Sequence, residues 1–212
     1  MKTGYFITVE GGEGAGKTSA IEAIVSTVEE LGYETISTRE PGGIPIAEQI
    51  RAVVLDTKNT AMDKRTEALL YAAARRQHLT EKVIPALQSG KVVVCDRFID
   101  SSLAYQGHAR GLGVDEVLAV NRFAIGDWMP DLTLFLDVSP EVGLGRIRAD
   151  WSREVNRLDL EEMRFHELVR EGYREVLRRY PERVRRIDAE QTPDKVAEQI
   201  RQIVNQMLRN RV

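Results

Sequence analysis

The chain is poor in cysteine, histidine and aromatic residues, and it carries no excess of charge of either sign. Cys95 is the single cysteine in 212 residues. No intrachain disulfide can form, which excludes a stapled extracellular scaffold. Lying in the apolar run Val92–Cys95, this cysteine reads as a small buried hydrophobe. Lys and Arg number 30 against 33 Asp and Glu, a formal charge of −3. Such a balance gives no global basic field, so neither nucleic acid nor a membrane is expected as a partner. No stretch reaches the ~18 apolar residues of a membrane helix, and Tyr5–Val9 is too short for a secretory signal. These absences together set the expectation of a cytoplasmic protein. Internal repeats and low-complexity segments are also missing. With 42% hydrophobic and 30% charged residues, the chain can bury a sizeable core, and one domain over residues 1–212 is expected.

What the sequence does contain is an alternation of two patterns. Tyr5–Val9, Val92–Cys95, Leu132–Val138 and Val184–Asp188 are short apolar runs that read as buried strands. Thr35–Arg39 is a fifth and weaker one. Between them lie helical patterns. Lys17–Leu31 carries Ile21, Ile24, Val25 and Val28 at helical spacing, and Gly32 stops it. Asp63–Gln88 is a longer pattern that Pro85 is expected to kink or interrupt. Leu160–Tyr180 and Pro193–Leu208 complete the set. Strands that are almost unbroken apolar runs, alternating with helices, suggest an α/β fold with a parallel sheet covered on both faces. Ligands on such sheets bind at the carboxyl ends of the strands.

The first strand runs directly into Gly11-Gly12-Glu13-Gly14-Ala15-Gly16-Lys17-Thr18, a full match to G-x-x-x-x-G-K-[ST]. Glycines without Cβ let backbone N–H groups curl around phosphate oxygens, and the following helix turns its positive end to the same anion. Lys17 brings a mobile charge to the terminal phosphates of ATP, and the Thr18 hydroxyl can ligate Mg²⁺. The chain lacks the N-K-x-D segment with which a GTPase reads guanine, and the Ser-Gly-Gly-Gln-like run of transport ATPases. Small kinases with a second, acceptor pocket remain. Asp96, at the end of the Val92 strand, stands where phosphate-loop enzymes hold Mg²⁺. Its neighbour Arg97 offers a bidentate fork to a phosphate. An internal ion pair is the structural alternative for Asp96.

Three further segments follow the loop: Thr38-Arg39-Glu40-Pro41-Gly42-Gly43, Leu69-Leu70-Tyr71-Ala72-Ala73-Ala74-Arg75, and Asp96-Arg97-Phe98-Ile99-Asp100-Ser101-Ser102-Leu103-Ala104-Tyr105-Gln106-Gly107. In this order they closely resemble the bacterial thymidylate kinases, and the resemblance runs from Tyr5 to about Ala189. Pro130-Asp131-Leu132, Asn156-Arg157-Leu158-Asp159 and Ile187-Asp188-Ala189 match family landmarks as well. The resemblance implies a three-layer P-loop NTPase fold, a five-stranded parallel sheet flanked by helices, with the lid of nucleoside monophosphate kinases at about residues 145–157. It implies Mg²⁺-dependent transfer from ATP to dTMP, in dTTP biosynthesis, and a homodimer. Asp63–Gln88 and Val114–Ala124 are candidate dimer faces.

The resemblance also assigns roles. Arg39, Arg51 and Arg97 would hold the acceptor phosphate, and Glu13 would reach the 3′-hydroxyl, with an ion pair to a nearby arginine as its alternative. Tyr71, where relatives commonly have Phe, would stack on thymine. Arg75, Ser102 and Gln106 would read the base, and Tyr105 would crowd the sugar 2′ carbon. The phosphate loop contains no arginine, so the catalytic cations besides Lys17 and Arg97 are expected in the lid, at Arg148 or Arg153. The acceptor phosphate is itself a nucleophile, so His78, His108 and His166 are expected at the surface or in packing. Ile44 and Ala74 depart from the family pattern, where Thr and Asp or Ser are common. Alternatives are another nucleoside monophosphate kinase, a deoxynucleoside kinase, or, more remotely, a regulatory nucleotide-binding ATPase.

Overall fold

A computed structural model describes residues 3–149 and 157–209. In chain order the elements are β1 (Tyr5–Glu10), α1 (Lys17–Glu30), β2 (Thr35–Arg39), α2 (Pro45–Leu55), α3 (Lys64–His78) and α4 (Ile84–Gln88). Then come β3 (Val92–Asp96), α5 (Ile99–Ser102), α6 (Val114–Ile125), β4 (Leu132–Asp137), α7 (Pro140–Arg148), α8 (Met163–Arg179), β5 (Val184–Asp188) and α9 (Pro193–Arg209). The strands form one parallel sheet in the order β2-β3-β1-β4-β5. This is the three-layer P-loop fold expected from the sequence. After β3 the chain crosses to the other side of β1, so a crevice opens at the carboxyl ends of β1 and β3.

Side chains along β1 alternate between two buried layers, as the pleat requires. Tyr5, Ile7 and Val9 join the layer closed by α1 and α9, with Ile24, Val28, Ile200 and Val204. Phe6 joins the opposite layer, with Leu79, Phe98, Leu103, Phe135 and Tyr173. Thr8 and Glu10 are fully buried too. The Thr8 hydroxyl meets that of Thr133 on β4 at 2.8 Å. A strand buried on both faces shows no alternation in its sequence, which is why β1 reads as one apolar run.

Two sequence expectations acquire detail. Pro85 interrupts the long helical pattern through the turn before it: Leu79–Val83 is π-helical, between α3 and α4. The proline ring cannot donate to the carbonyl of Glu81 and crowds it, so the backbone widens upstream. The pattern from Leu160 starts with a 3₁₀ turn at Arg157–Leu160, and the α-helix itself begins at Met163. Of the expected lid, Gly145–Arg148 is the last turn of α7.

A second π-helical stretch, Leu103–Ala109, continues α5 and packs on α8. Gly172 makes this close crossing possible. A Cβ there would lie 2.8 Å from Ala104 Cα and 2.9 Å from His108 Cβ. Backbone atoms cannot rotate aside, so Gly172→Ala must push α8 away from the stretch that carries Tyr105 and Gln106. We expect a loss of ~1–3 kcal/mol in denaturant unfolding. Unchanged stability would show that the two segments separate freely.

Candidate active site

The loop between β1 and α1 carries positive φ at Gly11, Gly14 and Gly16. Gly14 leans on the first turn of α7: a Cβ there would strike the Gly143 carbonyl, and one on Gly143 would strike that of Glu13. The backbone N–H groups of Gly14, Ala15, Gly16, Lys17 and Thr18 donate to no other group among the described residues. A run of free donors at a helix N-terminus is an anion cradle. The Lys17 ammonium donates to the carbonyls of Gly11 and Gly12 at 3.4 and 3.1 Å. Burial, and then the charge of Arg97, push its pKa below the usual lysine range.

In front of the loop lies a cavity of about 460 Å³, a size suited to a nucleotide. It gathers residues from distant parts of the chain. Glu13, Gly14, Ala15, Gly16, Lys17 and Thr18 come from the phosphate loop. Arg39 ends β2, Arg51 sits on α2, Tyr71 on α3, and Asp96 and Arg97 follow β3. Ser101, Ser102, Tyr105 and Gln106 come from α5 and the π-helical stretch, and Arg146 from α7. Arg39 is half-exposed and donates to Glu48 at 2.7 Å, while Arg51 donates to the Pro41 carbonyl at 3.0 Å. Arg146 donates to the carbonyls of Gly14 and Ala189 at 3.3 and 3.0 Å.

Arg97 is the most constrained of these cations. Its φ of 66° lies in the left-handed region that non-glycine residues seldom occupy. That kink turns the side chain from the strand end into the cavity, a strain of the kind stored at functional sites. Its guanidinium donates to Glu13 Oε1 at 2.8 Å and to the Tyr173 hydroxyl at 3.1 Å, and stacks over the Tyr105 ring at 5.1 Å. Tyr105 donates to the same Glu13 oxygen at 3.2 Å. Glu13 is thus held by an arginine, the alternative that the sequence left open beside a hydroxyl of the substrate. Behind them Glu10 accepts from Ser101 at 2.5 Å, Tyr173 at 2.9 Å and the Phe98 N–H at 2.7 Å.

Asp96 faces the same cavity as Thr18, and its buried Oδ1 has no hydrogen-bond partner among the described residues. An orphaned carboxylate oxygen beside a hydroxyl suits a hard divalent cation or its water shell. No cluster of three or more His, Cys, Asp or Glu able to hold a metal occurs among the described residues.

Some expected site residues lie elsewhere. Gly11 is buried at the end of β1, and Gly12 lines a small separate cavity behind the loop. Arg75 does not line the main cavity. It is buried beneath the inner wall of the cavity, donating to Glu40 at 2.7 Å, Ser102 at 3.0 Å, the Phe98 carbonyl at 2.9 Å and Asn121. Arg148 is exposed at the end of α7, and Arg153 lies outside the described residues. Arg157, counted with the lid from the sequence, is buried against the Val54 carbonyl and Glu67. His78 is fully buried, between Glu40 and Thr38. Sequence reasoning missed Glu10, Glu67, Ser101 and Tyr173. Glu10 left a trace, a charge closing an apolar strand. Tyr173 left none, being 163 residues from the carboxylate it bonds.

A phosphate loop, an acidic strand end and a cation-lined cavity with a polar inner wall define a small phosphoryl-transfer enzyme with its own acceptor site. Comparison with known proteins narrows the class. A family model described as thymidylate kinase matches residues 9–200. The thymidylate kinase of Clostridium novyi (strain NT) is 62% identical, over 95% of this chain and 98% of its own. That of Halalkalibacterium halodurans is 61% identical over 98% and 99%, and that of Anoxybacillus flavithermus 60% over 96% and 98%. The chain belongs to the thymidylate kinase family.

Glu10 gives the site a pH dependence. Burial, then the neighbouring Asp100 carboxylate, push its pKa from 4.5 up to about 7. A carboxyl whose pKa is raised by folding contributes stability below pH 4.5 that is lost as pH rises through 7. Glu10→Gln removes that group's titration. The fall in unfolding free energy between pH 4.5 and 7 should therefore be shallower in the variant, measured by denaturant titration across that range. Equal slopes would contradict the assignment.

Proposed function

We propose that the protein transfers the γ-phosphoryl group of ATP to dTMP, giving ADP and dTDP, with the residues above in specific roles. The observation that carries the assignment of roles is the composition of one cavity: Arg39, Arg51 and Arg97 stand beside the base wall of Tyr71, Ser102 and Gln106, and all of them face the phosphate loop. The cation cluster suits an acceptor that is already phosphorylated. Its phosphate is mostly dianionic at neutral pH, with a second pKa of ~6. It attacks without a general base, and positioning and charge stabilisation supply the catalysis.

Lys17 and the free N–H groups of the loop bind the donor phosphates. Arg97, with Arg39 and Arg51, holds the acceptor phosphate in line. Tyr71 lies against the base, and burial keeps its hydroxyl protonated. Tyr105 sits over Arg97 and next to Glu13, where its ring would crowd the sugar 2′ carbon. Arg75 supports the base wall through Ser102. Thr18 and Asp96 would hold Mg²⁺, which when bound neutralises charge on the transferring phosphates. A lid at about residues 145–157 brings Arg148 or Arg153 to the transferring group and excludes water. One kinase domain spanning the chain accommodates all of these parts.

Two further properties belong to this reading. No described helix is long and apolar enough to cross a membrane, and we assign the enzyme to the cytoplasm. We also assign it a homodimer through α3 and α6, which pack together and leave Leu69 and Phe123 57% and 94% exposed. Light scattering should give twice the mass of the chain, and a monomer would refute this.

A coupled assay of ADP release over a panel of monophosphates tests the activity. dTMP should be the best acceptor, with dUMP poorer by the worth of one methyl contact, ~1–3 kcal/mol. Arg97→Ala should raise KM for dTMP by ~10-fold or more. Of Arg148→Ala and Arg153→Ala, the one that removes the lid cation should lower kcat by ~10²-fold. Activity on AMP or dCMP with none on dTMP would overturn the proposal.

A further inference from the structure

Glu67 on α3 belongs to neither the phosphate clamp nor the cavity lining, yet it is only 1% exposed. Arg110 donates to both of its oxygens at 3.3 Å, and Arg157 to one. Gln106 Nε2 donates to its Oε1 at 2.8 Å. Burial opposes its charge, but Arg110, Gln106 and Arg157 outweigh that and hold its pKa below the ordinary value. Glu67 is therefore an ionised carboxylate that can only accept hydrogen bonds.

That fact fixes a neighbour. A primary amide can present either its NH₂ or its carbonyl to a ligand, and turning it over exchanges the two. An acceptor-only carboxylate behind Gln106 removes the choice: the NH₂ must face Glu67. Gln106 Oε1 then has no partner among the described residues, although the residue is only 2% exposed and lines the cavity. One turn earlier, Ser102 also lines the cavity, and its oxygen accepts from Arg75 at 3.0 Å. Its own hydroxyl proton is left to donate. The inner wall thus presents a fixed acceptor beside a donor.

We infer that Glu67 is a specificity-determining positioning residue: by locking the Gln106 amide carbonyl toward the cavity, it selects pyrimidines that carry a proton on N3. The inference rests on the dTMP kinase reading and deepens it. Thymine and uracil offer an N3–H donor beside a carbonyl acceptor, complementary to Gln106 Oε1 and the Ser102 hydroxyl. Cytosine offers an N3 lone pair beside an amino donor, the reverse pattern at both positions. A buried site with fixed polarity rejects the reversed pattern strongly, because its polar groups would then be left unpaired.

The test compares kcat/KM for dUMP with that for dCMP, a pair that leaves the 5-methyl group out of the comparison. In Glu67→Gln the new amide can donate as well as accept, so Gln106 is free to turn over. The dUMP:dCMP ratio should fall by ~10-fold or more. Gln106→Leu, which leaves both arginines on Glu67, should lower the ratio as well, and adding Glu67→Gln to it should produce no further fall. A purely structural role would lower both activities together and leave the ratio unchanged, which would overturn the inference. Should Glu67→Gln fail to fold, the crystal structure of the wild-type protein with dTMP decides. Thymine N3 must meet the Gln106 atom that does not contact Glu67, and any other partner for N3 overturns the inference. Failure of the wild-type protein to phosphorylate dTMP would instead refute the underlying reading.

Discussion

Like charges crowded into one cavity repel, and here Lys17, Arg39, Arg51, Arg97 and Arg146 line the same one. The protein offsets that repulsion with oxygens of its own. Lys17 rests on the carbonyls of Gly11 and Gly12, Arg39 on Glu48, Arg51 on Pro41, Arg97 on Glu13, and Arg146 on Gly14 and Ala189. Except for the two carboxylates, these partners are neutral carbonyls. A phosphate oxygen, being charged, can displace a carbonyl with a net gain. Lys17, Arg51 and Arg146 are thus kept in place by interactions weaker than those with a charged ligand, a form of preorganisation, while Arg39 and Arg97 are held by carboxylates.

The sheet makes this convergence possible. β1 and β3 are neighbours in register, Val9 opposite Asp96. The phosphate loop and the Asp96-Arg97 corner therefore leave the sheet side by side. Glu10, the last residue of β1, reaches across to the start of α5 and to Tyr173 on α8. One buried carboxylate so ties the loop's strand to α5, whose Ser101 lines the cavity, and to α8 behind it. Gly143 and Gly172 serve the same end, since each lets a helix approach the site backbone more closely than a side chain would permit.

Much of this was legible in the sequence because it is local. The phosphate loop is a contiguous motif with its own backbone geometry. Three of the strands are short apolar runs, and even the more polar Thr35–Arg39 and Val184–Asp188 have the bounds read from the sequence. The Asp96-to-Gly107 segment carries most of the acceptor wall in a dozen residues. What escaped is what depends on pairing across the chain. Nothing in the sequence around Glu67 points to Arg110 and Arg157, the two distant arginines that meet it in the fold. Arg75 has the right spacing from Tyr71 to share its face, but spacing cannot show that Glu40 and Asn121 draw its guanidinium beneath the wall. Arg157 lies within an arginine-rich stretch, and only the fold separates it from the exposed Arg148 and Arg164.

The account turns on the cation cluster recognising a phosphate on the acceptor. Calorimetric titration of the protein with dTMP and with thymidine, at one salt concentration, addresses that claim most directly. The two ligands share every contact with the base wall and differ in the group that Arg39, Arg51 and Arg97 are placed to hold. Two or more charge-assisted hydrogen bonds should make dTMP bind at least ~100-fold more tightly, and Arg97→Ala should narrow the gap. Equal affinity for the two would contradict the account.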